Sequence, residues 1–98
     1  MTDLPGSVRE VVERGIRDLD PDRVVLYGSR ARGDARPASD YDLCFFGTRG
    51  LWAKYHLWVW DDAPGVYGFD VVRWEEAPEP LRKNIAEDGV TLYEKFVH

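Results

Sequence analysis

One stretch, residues 24–46, constrains the fold of this chain more than any other. An apolar run at residues 24–27 leads directly into Gly28-Ser29. Ten residues further on, Asp40-x-Asp42 opens a second apolar run at residues 43–46. A turn of small residues after a strand frees backbone N–H groups, which bind phosphate oxygens well. We therefore predict two strands joined through a phosphate-binding corner.

The two acidic residues of this stretch share one face of the second strand, which we predict over residues 40–46. Asp40 and Asp42 are one residue apart, and side chains in a strand point alternately to opposite faces. Two like charges so close repel each other, and a cation between them relieves the repulsion. The pattern favours a divalent-metal site beside the phosphate corner, as in phosphoryl or nucleotidyl transfer. The alternative is a solvated strand entrance, where aspartate is common.

A third acid, Asp70, stands alone in the apolar run at residues 69–72. An unpaired charge inside such a strand is costly to bury, so it needs a cation or an open cleft. The alternative is a strand-entrance aspartate paired with an arginine. The 27 residues between Asp42 and Asp70 accommodate a crossover helix, which would make the two strands neighbours.

Taken together, Gly28-Ser29, ten intervening residues and Asp40-x-Asp42 resemble the signature of the DNA polymerase β-like nucleotidyltransferase superfamily. More narrowly, the chain is similar to the small stand-alone members called minimal nucleotidyltransferases (MNT), many of which are antitoxins paired with HEPN-domain toxins. The likeness extends to residues 69–72 and 81–94. It implies a polymerase β-like fold of the α/β (α+β) class, with a small mixed sheet of three to four strands and helices packed on it.

The resemblance also implies an activity. Asp40, Asp42 and Asp70 would be the catalytic acids and would hold magnesium, expected as two ions, with Asp70 as general base or last metal ligand. ATP would be the substrate, and AMP would pass to a hydroxyl, a tyrosine, of a HEPN-domain partner. Two alternatives stay open: an antitoxin that acts by binding alone, and a small metal-binding domain of another purpose.

Four residues of the corner are candidates for nucleotide binding. Glycine at Gly28 lets the backbone approach a ligand closely, and the Ser29 hydroxyl would join helix N-terminal amides on the β and γ phosphates. Arg30 and Arg32 would neutralise phosphate charge. The alternatives are that Ser29 is an ordinary helix cap and that both arginines are solvated. Ser39 either orients Asp40 or caps the loop.

Hydrophobic periodicity indicates the other elements of what we interpret as one domain, residues 1–98. Residues 8–19 predict an amphipathic helix, with Ser7 and Glu10 as a capping box. Residues 51–60 fit a helix and also alternate like a strand, and we favour the helix. The remaining predictions are strands at 23–27 and 90–93, and a strand within 66–74 that is centred on 69–72. We also predict a short helix from Ser29 to Gly33, and a helix at 79–87 whose inner side carries Leu81, Ile85 and Ala86.

Composition limits the classes of partner and compartment. The net charge of −5 opposes an extensive nucleic-acid surface. The lone Cys44 cannot form an internal disulfide, and with no visible signal peptide or membrane span it favours the cytoplasm. A chain of 98 residues buries a modest core, which leaves room for self-association or a partner. The Trp-rich segment, residues 51–60, is the candidate surface, while His56 and His98 lack metal-ligand spacing.

Overall fold

A computed structural model of the protein describes residues 4–96 as four helices, four strands and one short 3-10 turn. The predicted strands and helices are confirmed within one or two residues at their ends. In order these are α1 (Gly6–Leu19), β1 (Arg23–Tyr27), α2 (Ser29–Arg32), β2 (Tyr41–Phe46), α3 (Trp52–Asp62), β3 (Phe69–Arg73), the 3-10 turn Trp74–Glu76, α4 (Glu79–Asp88) and β4 (Val90–Glu94).

The strands form one mixed sheet in the order β3-β2-β1-β4. Strand β1 pairs antiparallel with both β2 and β4, whereas β2 and β3 run parallel. The parallel pair requires a crossover connection, and α3 provides it. The α/β class, the small mixed sheet and the predicted crossover helix are thereby confirmed.

One face of the sheet is covered by α1 and α3 and forms the main core. Alternate residues of β2, Tyr41, Leu43 and Phe45, are buried there together with Tyr55 of α3. Gly15 brings α1 close, since a Cβ at this position would overlap the Phe45 ring. The core is completed by apolar residues of α1, β1, α3 and β3: Val8, Val11, Val12, Leu19, Val24, Leu26, Val59 and Val71.

The opposite face is covered only in part, by α4 and the 3-10 turn. Ile85 of α4 is buried against Val25, Tyr27 and Cys44. Burial raises the pKa of the Cys44 thiol to about 12, so the residue packs as a small apolar group. At one end of this face Phe46 stacks on Trp74 at 4.7 Å, which leaves the other end, toward Gly28, free for polar groups.

Two details of the sequence predictions are wrong. Helix α1 begins at Gly6 with Pro5 before it and has no side-chain cap hydrogen bond, so the Ser7 capping box does not form. Ala86 is exposed rather than on the inner side of α4. Between β3 and α4, the acidic residues Glu75 and Glu76 belong to the 3-10 turn Trp74–Glu76. Separately, none of the helices within residues 4–96 has the length and apolar character needed to cross a bilayer.

Candidate active site

The sheet register brings two of the predicted acids together. Asp42 of β2 lies directly opposite Asp70 in the parallel β2–β3 pair, and opposite Tyr27 in the antiparallel β1–β2 pair. Residues that pair across strands point to the same face. Tyr27, Asp42 and Asp70 therefore form one row across three strands, on the face that α4 covers only in part.

Charge repulsion and burial both act on this row. Asp42 is half-buried, while Asp70 is exposed. Burial, the charge of Asp70 and then that of Asp40 raise the pKa of Asp42 to about 6, and Arg32 opposes the shift. Burial and the charges of Asp70 and Asp42 also raise the pKa of the Tyr27 phenol. The row is thus a region of negative electrostatic potential at the end of the sheet, where a bound cation would be favoured.

The glycine-serine corner lies against the row. Gly28 has φ 74° and ψ −157°, a conformation that glycine adopts and other residues avoid. A Cβ at Gly28 would overlap Oδ2 of Asp42, so the missing side chain also makes room for the carboxylate. Helix α2 follows at once, beginning at Ser29, and Gly33 ends it in the left-handed conformation with φ 86°. The predicted short helix and its closing glycine are confirmed.

Asp40 occupies the position just before β2. It is exposed, and its Oδ1 fills the space where a Cβ on Gly68 would be. The next residue, Tyr41, donates its backbone N–H to the Gly68 carbonyl at 3.0 Å. Asp40 therefore lies between the ends of β2 and β3, near the two other acids but outside their row.

The two candidate arginines of α2 have different surroundings. Arg32 donates to Asp88 Oδ2 at 2.7 Å and to Asp34 Oδ2 at 3.1 Å, on an exposed surface. Arg30 instead donates to backbone carbonyls of the loop that precedes Asp40. In that loop the Ser39 hydroxyl accepts the backbone N–H of Arg36 at 2.9 Å, so of its two predicted roles the structure has the loop cap.

The donor set suits a hard divalent cation, but the three acids are not drawn into a ready-made cage. Carboxylate oxygens are the ligands that Mg²⁺ prefers, and Asp42 and Asp70 lie side by side. None of the three acids takes part in an ion pair within the described part of the chain. Across residues 4–96, however, no three His, Cys, Asp or Glu side chains lie close enough together to hold a metal ion. Asp42 and Asp70 would hold it, and Asp40 would have to move in.

Two residues of the site were missed by the sequence predictions. Tyr27 belongs to the acidic row because of strand pairing, and its position two residues before Ser29 was the available signal. Gly68 gives Asp40 its space, and the signal was a glycine directly before an apolar strand. His56 is exposed on α3, while His98 lies outside the described residues.

Comparison with known proteins agrees with this fold. The family model of the polymerase beta nucleotidyltransferase domain matches residues 10–96. Among solved structures, a toxin–antitoxin crystal structure with AMP-PNP superposes with TM-score 0.64 at 19% identity, covering 92% of this chain and 73% of that one. A MntA–HpeT toxin–antitoxin variant, with two aspartates two positions apart changed to glutamate, gives 0.63 at 17% identity, covering 91% and 72%.

A protein from Sulfolobus solfataricus, assigned as a nucleotidyltransferase, has a TM-score of 0.54 at 21% identity, covering 97% of this chain and 93% of its own. A search of curated proteins gives no match. The structural neighbours share the fold, and the family model extends from α1 to the end of the described residues. The chain belongs to the polymerase beta nucleotidyltransferase family.

Proposed function

We propose that the protein is a magnesium-dependent nucleotidyltransferase that moves AMP from ATP to a tyrosine hydroxyl of a HEPN-domain toxin, and so acts as its antitoxin. In this reaction the acceptor oxygen forms a bond to the α-phosphorus of ATP. The bond between the α-phosphorus and the bridging oxygen breaks, and pyrophosphate leaves. The acceptor proton passes to a base, and we assign this role to Asp70, which is exposed on the edge strand β3.

In this reaction the three acids and the glycine-serine corner each have a role. Asp42 and Asp70, joined by Asp40, would hold magnesium, which neutralises phosphate charge and lowers the pKa of a bound hydroxyl. Because Gly28 has no side chain, the backbone lies close to Asp42 and leaves room for the phosphates to approach the carboxylates. The Ser29 hydroxyl and the backbone N–H groups of the α2 turn would donate to the β and γ phosphates. The positive charge of Arg32 would neutralise part of the phosphate charge.

One observation carries the proposal: two carboxylates lie in register on neighbouring strands, beside a glycine whose missing side chain leaves space for one of them. Burial of Asp42 and the charge of Asp70 raise the pKa of Asp42 to about 6, so the charged row lowers the stability of the metal-free protein. An acidic row that lowers stability when no ligand is bound is better explained by a role in ligand binding than by a role in stabilising the fold.

The partner is proposed from the neighbours. Two solved structures with this fold are toxin–antitoxin complexes, one with AMP-PNP. The aspartates changed in the second are two positions apart, the spacing of Asp40 and Asp42. The net charge of −5 suits a protein acceptor better than a nucleic acid.

The test is transfer of label from ATP carrying radioactive phosphorus at the α position, with magnesium and a purified HEPN-domain partner. The proposal predicts labelled partner, no label with ATP labelled at the γ position, and loss of transfer in Asp42→Asn. Replacement of the acceptor tyrosine by phenylalanine in the partner should also abolish label. Partner that binds tightly yet stays unlabelled under these conditions would contradict the enzymatic proposal.

A second candidate is an antitoxin that works by binding alone, and one surface favours it. On α3, Trp60 is 80% exposed and Leu57 is 59% exposed, and neither packs in the core. Exposed aromatic and aliphatic side chains of this kind are typical of protein interfaces. If this candidate is right, Trp60→Ala should abolish neutralisation of the toxin while Asp42→Asn leaves it intact.

A further inference from the structure

The guanidinium of Arg30 is turned toward the loop that carries Asp40. Its Nη2 donates to the Ser39 carbonyl at 2.9 Å and to the Pro37 carbonyl at 3.1 Å. Its Nε donates to the same Ser39 carbonyl at 3.2 Å. A side chain on α2 therefore holds two backbone carbonyls of the loop that leads into β2.

Two aromatic rings cover the same guanidinium. Its central carbon lies 4.6 Å from the centre of the Tyr41 ring and 5.4 Å from that of Tyr67. The two rings pack edge to face, with their centres 5.2 Å apart. Cations are attracted to aromatic faces, so the position of Arg30 is determined from two directions, by the loop carbonyls and by the rings.

These contacts lie on both sides of Asp40 in the chain. The Ser39 carbonyl belongs to the peptide group that continues into Asp40, and Tyr41 is the residue after it. The Tyr41 N–H is bound to the Gly68 carbonyl at 3.0 Å, and the missing side chain of Gly68 leaves the space that Asp40 Oδ1 fills. Arg30 thus holds the backbone of Asp40 at the boundary between β2 and β3.

We infer that Arg30 is a positioning residue, not a ligand of the nucleotide phosphates. It fixes the backbone of Asp40 at the boundary between β2 and β3, from which the Asp40 side chain can turn toward a metal held by Asp42. The inference rests on the proposed function, since it assigns Asp40 to the metal. It replaces the phosphate role that the motif alone suggested for Arg30. Arg32, whose partners are exposed carboxylates, remains the arginine available to phosphate.

The shape of the side chain separates the two roles. Arginine offers a flat fork of N–H groups, and here two different nitrogens of that fork share one carbonyl. Lysine keeps the positive charge but has no fork. A phosphate ligand at this position would tolerate lysine in part, whereas a residue that orders the loop through the fork would not.

The test compares wild type with Arg30→Lys and Arg30→Gln, and uses Arg17→Lys on the exposed side of α1 as the matched control. Binding of Mn²⁺ is measured by electron paramagnetic resonance without nucleotide. Binding of ATP is measured separately in the presence of a chelator. Loss of an outer contact to a metal ligand typically weakens metal affinity by about tenfold to a hundredfold, and we expect both Arg30 variants to fall in that range.

The affinity for metal-free ATP should stay within about twofold of wild type in these variants, and Arg17→Lys should match wild type in both measurements. Weaker binding of metal-free ATP with unchanged Mn²⁺ affinity would overturn the inference, as would wild-type protein that binds no Mn²⁺. If the Arg30 variants do not fold, Tyr67→Leu removes one ring from the guanidinium and should weaken Mn²⁺ binding, and unchanged binding would overturn the inference.

These measurements also separate the inference from the proposed function. Wild-type protein that binds Mn²⁺ through Arg30 but transfers no AMP would contradict the proposed function and leave the role of Arg30 standing. If the protein transfers AMP but its Mn²⁺ affinity does not depend on Arg30, the proposed function stands and the inference about Arg30 is contradicted.

Discussion

The two faces of β2 are built from alternate residues of one strand, yet they differ in almost every physical respect. On one face Tyr41, Leu43 and Phe45 are at most 7% exposed and pack under α1 and α3. On the other face the strand passes from the half-buried Asp42 to the buried Cys44 and then to Phe46. One face is closed by two helices, and the other is left open at its acidic end.

The comparison teaches that stability and chemistry are divided between the faces of a single sheet. The closed face supplies the hydrophobic stabilisation, because its side chains are removed from water. The open face places carboxylates where they repel, which lowers stability and would favour a bound cation. Substitutions on the two faces should therefore give opposite results in assays of folding and of transfer.

The largest expected effect is on the open face. Asp42→Asn removes a proposed metal ligand and keeps the shape of the side chain. If the metal supplies several kcal/mol of transition-state stabilisation, the rate of AMP transfer should fall by about 1,000-fold or more. Urea unfolding at pH 7 should show equal or greater stability than wild type, because the repulsion with Asp70 is gone. A clear loss of stability would show that Asp42 supports the fold instead.

The closed face should respond in the opposite way to Phe45→Ala. Phe45 is fully buried and packs edge to face against Tyr55 at 5.4 Å and Trp52 at 5.9 Å. Its truncation should reduce the free energy of unfolding by roughly 3–5 kcal/mol. The control is Leu57→Ala on the exposed side of α3, which should stay within about 0.5 kcal/mol of wild type. Similar losses in the two variants would mean that the core lies elsewhere.

Gly28→Ala should lower both stability and AMP transfer, since Gly28 follows β1 directly and lies against the Asp42 carboxylate. The backbone conformation at Gly28 costs other residues about 1–3 kcal/mol, and the new Cβ would displace the Asp42 carboxylate. We expect lower stability in urea together with a drop in transfer. Gly6→Ala is the control, because a Cβ there contacts nothing within 4 Å. An active and fully stable Gly28→Ala protein would contradict the close approach.

The pH dependence of stability should differ between wild type and Asp42→Asn. Folded Asp42 keeps its proton up to a pKa of about 6, above the ordinary value of 3.8. Its contribution to stability is therefore full below pH 3.8 and is lost as pH rises through about 6. Because the side chain is partly exposed, we expect the loss to be on the order of 1 kcal/mol after screening by solvent.

Urea unfolding of metal-free wild type between pH 4 and 7, compared with Asp42→Asn, measures this difference. Added magnesium should reverse it, because the ion favours the charged carboxylate. Parallel pH curves for the two proteins would mean that Asp42 is not strained by its neighbours.

The smallest effect is expected at Arg32→Gln. The ion pairs of Arg32 with Asp88 and Asp34 lie on an exposed surface, where such pairs add little to stability. The urea midpoint should hardly change. If Arg32 neutralises phosphate, KM for ATP should rise by about fivefold or less, with kcat unchanged. Steady-state kinetics at saturating partner would detect this rise, and a KM equal to that of wild type would remove Arg32 from the site.

Local patterns predicted the parts of the fold that depend on neighbouring residues in the chain. The glycine-serine corner, the closing Gly33 and the alternation along β2 follow from backbone preferences and side-chain period. The 27-residue connection was also long enough for a crossover helix, which allowed Asp42 and Asp70 to lie on adjacent parallel strands.

Features that depend on tertiary contacts could not be predicted in this way. The position of Arg30 in the glycine-serine motif suggested a phosphate ligand. Its partners are instead backbone carbonyls nine and seven residues away, which it can reach only when the loop is folded. The place of Tyr27 in the acidic row depends on antiparallel pairing with β2. The capping box at Ser7 does not form because α1 begins two residues earlier than predicted, at Gly6 directly after Pro5, so Ser7 lies inside the first turn.

The central claim is that Asp42 and Asp70 share a divalent cation beside the glycine-serine corner. The most direct measurement is a crystal structure with Mn²⁺ and a non-hydrolysable ATP analogue, using the anomalous signal of manganese to locate the ion. The account predicts an anomalous peak in contact with carboxylate oxygens of both residues, with the triphosphate next to Gly28 and Ser29. Bound nucleotide with manganese away from both carboxylates would contradict it.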